Sequence, residues 1–261
     1  MNPTEAGVLG VVQGLTEFFP VSSSGHLALF QELFGGRESS DLLFEVAVHV
    51  ATLFAIVFFY RRRIAALVYG FFIARDRASI EYVAKLAVAT LPSVAVGLTA
   101  KDFIETQFSN PILVGCALLV TGCIVFTTRR TASQAHVDVP NWRAAILIGL
   151  AQSFAILPGI SRSGSTVAMA LALGVAPLAA AEFSFLLGII AISGAAVLML
   201  PGLSDAQPEQ LLNLAVGGVT ALASGLLALW LFVRMLDRSL FHHWAWYCWA
   251  VGGAFLAWSL A

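Results

Sequence analysis

Apolar residues in this chain gather into long runs of two kinds. Six are continuous: Leu42–Tyr60, Tyr82–Ala100, Pro111–Thr128, Phe183–Leu200, Leu211–Phe232 and Trp244–Leu260. Each is close to the ~20 residues an α-helix needs to cross a ~30 Å hydrocarbon core, so six transmembrane helices are predicted. A shorter run, Ile64–Ala74, has basic residues on both sides and reads as a helix lying in the membrane interface. Residues 5–33 and 144–176 form the second kind, apolar but broken in the middle by Pro, Gly and small polar residues. The breaks are Phe19-Pro20-Val21-Ser22-Ser23-Ser24-Gly25-His26 and Leu157-Pro158-Gly159-Ile160-Ser161-Arg162-Ser163-Gly164-Ser165. Half-segments of ~12–15 residues reach mid-membrane and return, so each broken run is predicted to be a re-entrant helix pair.

The broken runs are also copies of one another. A shift of 139 residues pairs Gly10 with Gly149, Gln13 with Gln152, Ser22 with Ser161, Ser24 with Ser163 and Gly25 with Gly164. Each copy is followed by three spans, which predicts one polytopic membrane domain over 1–261 with repeat halves of about 1–130 and 141–261. Basic residues orient the spans. Arg61–Arg63, Arg75, Arg77, Arg129, Arg130, Arg143, Arg234 and Arg238 fall on one side, which the positive-inside rule makes cytoplasmic. Segments 35–41, 101–110 and 201–210 hold only Arg37 and Lys101 between them, which places both termini outside. The hairpins then enter from opposite sides, as in an inverted-topology repeat whose broken helices meet near the midplane. Trp142, Trp244, Trp246 and Trp258 fall near span ends, as an aromatic belt would place them.

Composition agrees. Of 261 residues 59% are hydrophobic and only 11% charged, against about 25% charged in soluble domains. That shortage excludes a disordered chain, and a net charge of −1 excludes a basic nucleic-acid binder. The first twelve residues carry only Glu5, so no cleaved signal sequence is expected. Cys116, Cys123 and Cys248 lie in apolar stretches without metal-like spacing and read as small buried residues.

Candidate chemistry concentrates in the two breaks. An arginine in the bilayer core costs about 2.5–3.5 kcal/mol on insertion scales, which makes Arg162 the most informative residue. A structural ion pair with Glu17 or Glu182 is one account of it. The other is anion recognition by a guanidinium fork beside Ser161, Ser163, Gly164, Ser165 and Thr166, where a helix start after a Pro-Gly turn offers N–H and hydroxyl donors. In the first break, Gln13 and Glu17 share a helix face, and Ser22, Ser23, Ser24 and His26 open the next helix before Gly35-Gly36. Glutamate can serve as base or metal ligand, serine as nucleophile and histidine as acid or base. Asp41, Glu45 and His49 have two readings, lining of the same cavity or, more simply, a helix-end polar face; Glu182 reads as a partner for a nearby arginine, and His136, His242 and His243 as facing water.

Gln13-Gly14-Leu15-Thr16-Glu17-Phe18-Phe19-Pro20-Val21-Ser22-Ser23-Ser24-Gly25-His26 and Pro158-Gly159-Ile160-Ser161-Arg162-Ser163-Gly164-Ser165-Thr166 resemble the two signatures of the bacitracin-resistance family of undecaprenyl pyrophosphate phosphatases. The resemblance extends to Phe44-Glu45 and Glu182-Phe183-Ser184-Phe185, and so over the whole chain. It implies hydrolysis of the C55 isoprenoid pyrophosphate to the monophosphate in the bacterial inner membrane. It further implies a periplasm-facing site, Mg2+ or Ca2+ dependence, a homodimer, and lipid rather than nucleic acid as partner. Glu17, Ser23, His26 and Arg162 carry over as the reacting core, with Glu17 as metal ligand. Gln13, Ser22, Ser24, Ser161, Ser163, Gly164 and Thr166 carry over as substrate-binding residues. Gln13 stands where many members have Glu, which leaves Glu17 as the one carboxylate of that element. A lipid-phosphate flippase or anion transporter is the rival reading, because inverted repeats with broken helices also build transporters.

Overall fold

The computed structural model describes residues 1–33, 42–108, 110–199 and 208–260. These form α1 (Pro3–Phe18), α2 (Ser23–Leu33), α3 (Leu42–Phe59), α4 (Arg61–Tyr69), α5 (Arg77–Thr99), α6 (Lys101–Gln107), α7 (Pro111–Thr131), α8 (Trp142–Phe154), α9 (Arg162–Ala172), α10 (Pro177–Met199), α11 (Pro208–Asp237) and α12 (Trp244–Leu260). The only β pairing among the described residues is a single bridge between Val137 and Val175. Helix starts follow local chemistry. Asn2, Asp76, Asn110, Asn141 and Ser161 each accept an N–H of the first turn of α1, α5, α7, α8 and α9. Those hydrogen bonds hold the exposed Asp76 carboxyl below the usual carboxylate range.

The described residues are all-helical, as predicted, and both broken runs are broken helices: α1–α2 at Phe19–Ser22 and α8–α9 at Ala155–Ser161. Four helices, α5, α7, α10 and α11, are long and apolar enough to cross a membrane unaided. A fifth span results if α3 is taken with α4 and the π-helical turn Gly70–Ala74, which bend away by 72°. At 17 residues α12 covers about 25 Å, at the lower end of the ~17–25 residues of spanning helices. Among the described residues four helices, or five with the bent pair, are thus candidate spans by length and composition. Segment 101–110, read as a loop, contains α6. Predicted Phe183–Leu200 starts earlier, at Pro177, so Glu182 lies inside α10. Gly35, Gly36, Arg37, Asp41, Leu200 and 201–207 lie outside the described residues.

Polarity is arranged inside out. Large apolar side chains such as Phe54, Phe72, Leu91, Leu98, Val219 and Leu260 face outward, while Gln13, Glu17, His26, Lys85, Thr121, Gln152 and Thr166 are buried. This suits lipid outside and a polar centre within. Cys248 is buried as expected, but Cys116 and Cys123 lie on the outer surface. In a bilayer both faces of a helix are apolar, so apolar neighbours cannot tell a buried cysteine from a lipid-facing one.

Small residues bring the helices close. A Cβ on Gly10 would run into Thr220 and Gly217 of α11, and one on Gly14 into Ser224 and Ala221. A Cβ on Gly149 would run into Ala89 of α5. The resulting pairs are α1 with α11 and α5 with α8, joined by α3 with α11, α5 with α10, α3 with α10, and α7 with α12. Phe18, Phe185, Phe232 and Phe241 form an edge-to-face chain with centroids 4.9–5.6 Å apart, which anchors α1 through the residue beside Glu17.

Candidate active site

The first break is short. α1 ends at Phe19 in an extended conformation, and Ser22 takes φ +67°, a left-handed setting that turns the chain into α2. Ser22 Oγ then accepts the Gly25 N–H at 3.3 Å and lies 3.2 Å from Ser24 Oγ. The second break repeats this device. Gly159 takes φ +91°, Ser161 Oγ accepts the Gly164 N–H at 3.1 Å, and Ser161 and Ser163 hydroxyls are 3.2 Å apart. Thr121 of α7 fastens the second break by donating to Gly159 O (2.8 Å) and accepting from Ser161 N–H (3.0 Å).

The breaks touch. A Cβ on Gly25 would meet Gly159 Cα at 3.3 Å, and one on Gly164 would meet Pro20 Cβ at 3.1 Å. Ser163 Oγ donates to Phe19 O at 3.4 Å. At this junction Glu17, 8% exposed, gathers donors from three directions. Arg162 Nη2 donates to Oε1 at 2.6 Å, Ser23 Oγ donates to Oε2 at 2.7 Å, and Gln13 Nε2 donates to Oε2 at 3.1 Å. Arg162 is therefore paired with Glu17, while Glu182 pairs with Arg63 at 2.8 Å and accepts the Tyr82 hydroxyl at 2.9 Å. Gly188 on α10 makes room for the guanidinium, since a Cβ there would meet Arg162 Cζ at 2.8 Å. Arg162 Nη1 also donates to Ser184 O at 3.4 Å, and Ser184 Oγ lies 2.6 Å from Thr166 Oγ1.

Three of the four core residues, Glu17, Ser23 and Arg162, are thus in direct contact, with Ser23 Oγ bonded to a carboxylate able to take its proton. His26 stands one turn further along α2. Its Nδ1 donates to Ser22 O at 2.9 Å, and its Nε2 pairs with the Tyr247 hydroxyl of α12 at 2.9 Å. Ser22 and Ser161 spend their hydroxyls on starting their own helices, Ser24 and Ser163 lean on those, and Thr166 is held between Arg162 O and Ser184. In the first turn of α9, Ser161 takes the N–H groups of Gly164 and Ser165. Those of Arg162 and Ser163 are the kind a helix start offers to an anion.

Three further neighbours were not identified as site residues from sequence. His49 Nε2 comes within 3.9 Å of Glu17 Oε2, with Nδ1 donating to Glu45 O at 2.6 Å. A histidine inside a span was a usable signal, but without tertiary contacts it read as part of a helix end. Ser184 and Tyr247 offered less, each a single hydroxyl in an apolar helix. Trp244, assigned to an aromatic belt, instead stacks on Phe19 with centroids 4.4 Å apart.

For a divalent cation, the described residues gather no group of three or more His, Cys, Asp and Glu. Mg2+ bound to phosphates needs only one or two protein oxygens. The Glu17 carboxylate and Gln13 Oε1, a buried acceptor with no hydrogen-bond partner, fit that modest requirement.

The chain matches the bacitracin resistance protein BacA family over residues 6–254. It is 38% identical over 264 residues to the undecaprenyl-diphosphatase of Syntrophotalea carbinolica, covering 98% of this chain and 99% of that one. Against the undecaprenyl-diphosphatase of Desulfatibacillum aliphaticivorans it is 39% identical over 273 residues, 98% of each chain. The protein of the same name from Bacteroides fragilis shares 38% over 253 residues, 95% of each. Similarity over nearly the full length, including both breaks and the helices that hold them, means that this chain belongs to the bacitracin resistance protein BacA family.

Proposed function

We propose that this protein is a membrane phosphatase that hydrolyses undecaprenyl pyrophosphate to undecaprenyl phosphate and inorganic phosphate. The observation that carries the reading is the Glu17 carboxylate, held between the Arg162 guanidinium at 2.6 Å and the Ser23 hydroxyl at 2.7 Å. A nucleophile bonded to its base, beside a cation and a helix start suited to phosphate, is the equipment of phosphoryl transfer. A flippase or anion carrier would use Arg162 and the helix start but has no need of the Ser23–Glu17 pair.

In the reaction, Arg162 and the first N–H groups of α9 hold the pyrophosphate. Ser23 Oγ attacks the terminal phosphorus while Glu17 takes its proton; the new O–P bond forms as the bond to the lipid monophosphate breaks. Glu17 passes that proton to the departing lipid phosphate and, a carboxylate again, takes a proton from water as the water oxygen attacks the phosphorus; the Ser23 O–P bond breaks, inorganic phosphate leaves, and Glu17 returns the proton to Ser23 Oγ. When bound, Mg2+ or Ca2+ supplies positive charge to the phosphate oxygens, with Glu17 and Gln13 Oε1 as its protein ligands.

The same proposal includes the inverted-repeat architecture with two re-entrant pairs. Exchanging the halves, α1 for α8, α3 for α10, α5 for α11 and α7 for α12, supports it, because the most extensive contacts among these helices exchange too, although the smaller α1–α3 and α10–α11 contacts have no counterpart of that size. Contact α1–α11 becomes α8–α5, α3–α11 becomes α10–α5, and α3–α10 and α7–α12 map onto themselves. It also places the protein in the bacterial inner membrane as a homodimer, with its termini and site toward the periplasm.

The test is phosphate release from a long-chain isoprenyl pyrophosphate by purified protein in detergent, with and without divalent metal. Activity lost in Ser23→Ala, Glu17→Ala and Arg162→Ala would support the phosphatase. A folded wild-type protein with no release under any metal condition would overturn it and leave the transporter.

A further inference from the structure

One face of α12 closes on the first break. Trp244, Tyr247 and Cys248 lie at i, i+3 and i+4 and so share that face. Trp244 stacks on Phe19, Cys248 Sγ donates to Pro20 O at 3.4 Å, and the Tyr247 hydroxyl meets His26 Nε2 at 2.9 Å. The Tyr247 and His26 rings are nearly parallel, 10° apart with centroids 5.6 Å apart. His26 is buried and Tyr247 is 40% exposed, so the tyrosine turns its hydroxyl inward from an outer surface.

The hydrogen bonds fix where one ring proton sits. Ser22 O is a carbonyl and only accepts, so Nδ1 carries a proton. In the neutral ring Nε2 is then the acceptor, and Tyr247 is its donor.

The second break shows that packing does not demand this pair. The 139-residue shift relates Pro20 to Gly159 and His26 to Ser165. The bonds from Cys248 to Pro20 O and from Thr121 to Gly159 O relate α12 to α7, and with them Tyr247 to Val120. Val120 is 42% exposed, like Tyr247, but offers no hydroxyl, and Ser165 Oγ is buried with no hydrogen-bond partner. A helix from the other half therefore closes on each break, without a polar pair at the second break and with one at the break beside Glu17 and Ser23.

We infer that Tyr247 is a positioning residue of the reaction: its hydroxyl holds the His26 ring in one orientation and one tautomer, Nδ1–H with Nε2 turned to α12. This rests on the phosphatase proposed above and on its paired halves. His26 sits one turn beyond Ser23 and its Nδ1–H holds Ser22 O, so a ring free to rotate would release the start of α2 that presents Ser23 to Glu17.

Tyr247→Phe keeps the ring and removes only the hydroxyl. It is measured beside wild type for phosphate release, thermal midpoint and histidine-ring nitrogen NMR in detergent, with His26 assigned by difference from His26→Gln among the five histidines. The expected kcat falls by about 10- to 100-fold, the scale of a small misplacement of a reacting group. KM is expected to change less than about 3-fold. The midpoint holds, and the His26 ring signals move from the single Nδ1–H pattern. Wild-type kcat in the variant overturns the inference, whether or not the ring signals move. A lower kcat with unchanged ring signals also overturns it, because Tyr247 would then act other than through His26. If wild type releases no phosphate, the phosphatase reading fails, and with it this role for Tyr247; the NMR then reports only on the tautomer.

Discussion

At the scale of single residues, the site is organised by an acid that cannot be left unpaired. Glu17 is buried where water cannot solvate it, and Arg162 is the cation that makes its charge tolerable. Removing one partner exposes the cost of the other: Glu17→Ala is expected to destabilise the protein by about 3–5 kcal/mol, as for broken buried pairs, seen as a lower thermal midpoint in detergent. Arg162→Lys keeps the charge but loses the fork, so it should retain more of that midpoint while losing about 10²-fold or more in phosphate release. Ser23→Ala should lose ~10³-fold or more in activity with little change in stability, since it deletes one part-buried hydroxyl. Phosphoserine at Ser23, trapped by rapid quench of a slow variant, would mark it as the nucleophile; its absence while such a variant still turns over would favour direct attack by water.

At the scale of elements, the breaks are placed by close helix contacts that only small residues permit. Gly14 sits against Ser224 and Ala221 of α11, and Glu17 lies one turn along the same helix. Gly14→Val should therefore push α1 from α11 and lower stability by about 1–3 kcal/mol, read by thermal unfolding. Activity should fall along with it, because Glu17 moves away from Ser23. Gly159 takes φ +91° with Val114 and Ala117 at its back, so Gly159→Ala combines backbone strain with a clash and should cost about 1–3 kcal/mol. Gly97, inside α5, has open space around it, so Gly97→Ala is the matching control and should not lower the midpoint.

At the scale of the whole molecule, two structural units fold in from different parts of the chain and become one site only where they cross. The divalent cation proposed above would sit at that junction: if it serves the reaction, chelation should abolish phosphate release, and Mg2+ or Ca2+ should restore it. Orientation is testable with single cysteines. In a background lacking Cys116, Cys123 and Cys248, a cysteine at the exposed Asp138 position should react with a membrane-impermeant thiol reagent only after the cytoplasmic side is opened. Labelling of intact cells at that position would reverse the orientation.

How far the sequence reached depended on which interactions were local. Hydrophobic run length, the Pro/Gly breaks and the Asn, Asp and Ser caps act within a few residues of themselves, so the helices and both broken segments were legible from one dimension. So was the chemistry of Glu17, Ser23 and Arg162, because unusual residue types in an apolar setting announce a polar purpose. What could not be read was every choice between faces. Arg162 had two carboxylates within chemical reason, and only the crossing of the breaks paired it with Glu17 while Arg63 took Glu182. Cys116 and Cys248 sit in equally apolar neighbourhoods, yet one faces outward and the other reaches Pro20. His49 and Tyr247 came to the site from α3 and α12 across long stretches of chain. In lipid both sides of a helix are apolar, so hydropathy determines that a helix forms and crosses; close packing of small residues alone decides which side meets its partner.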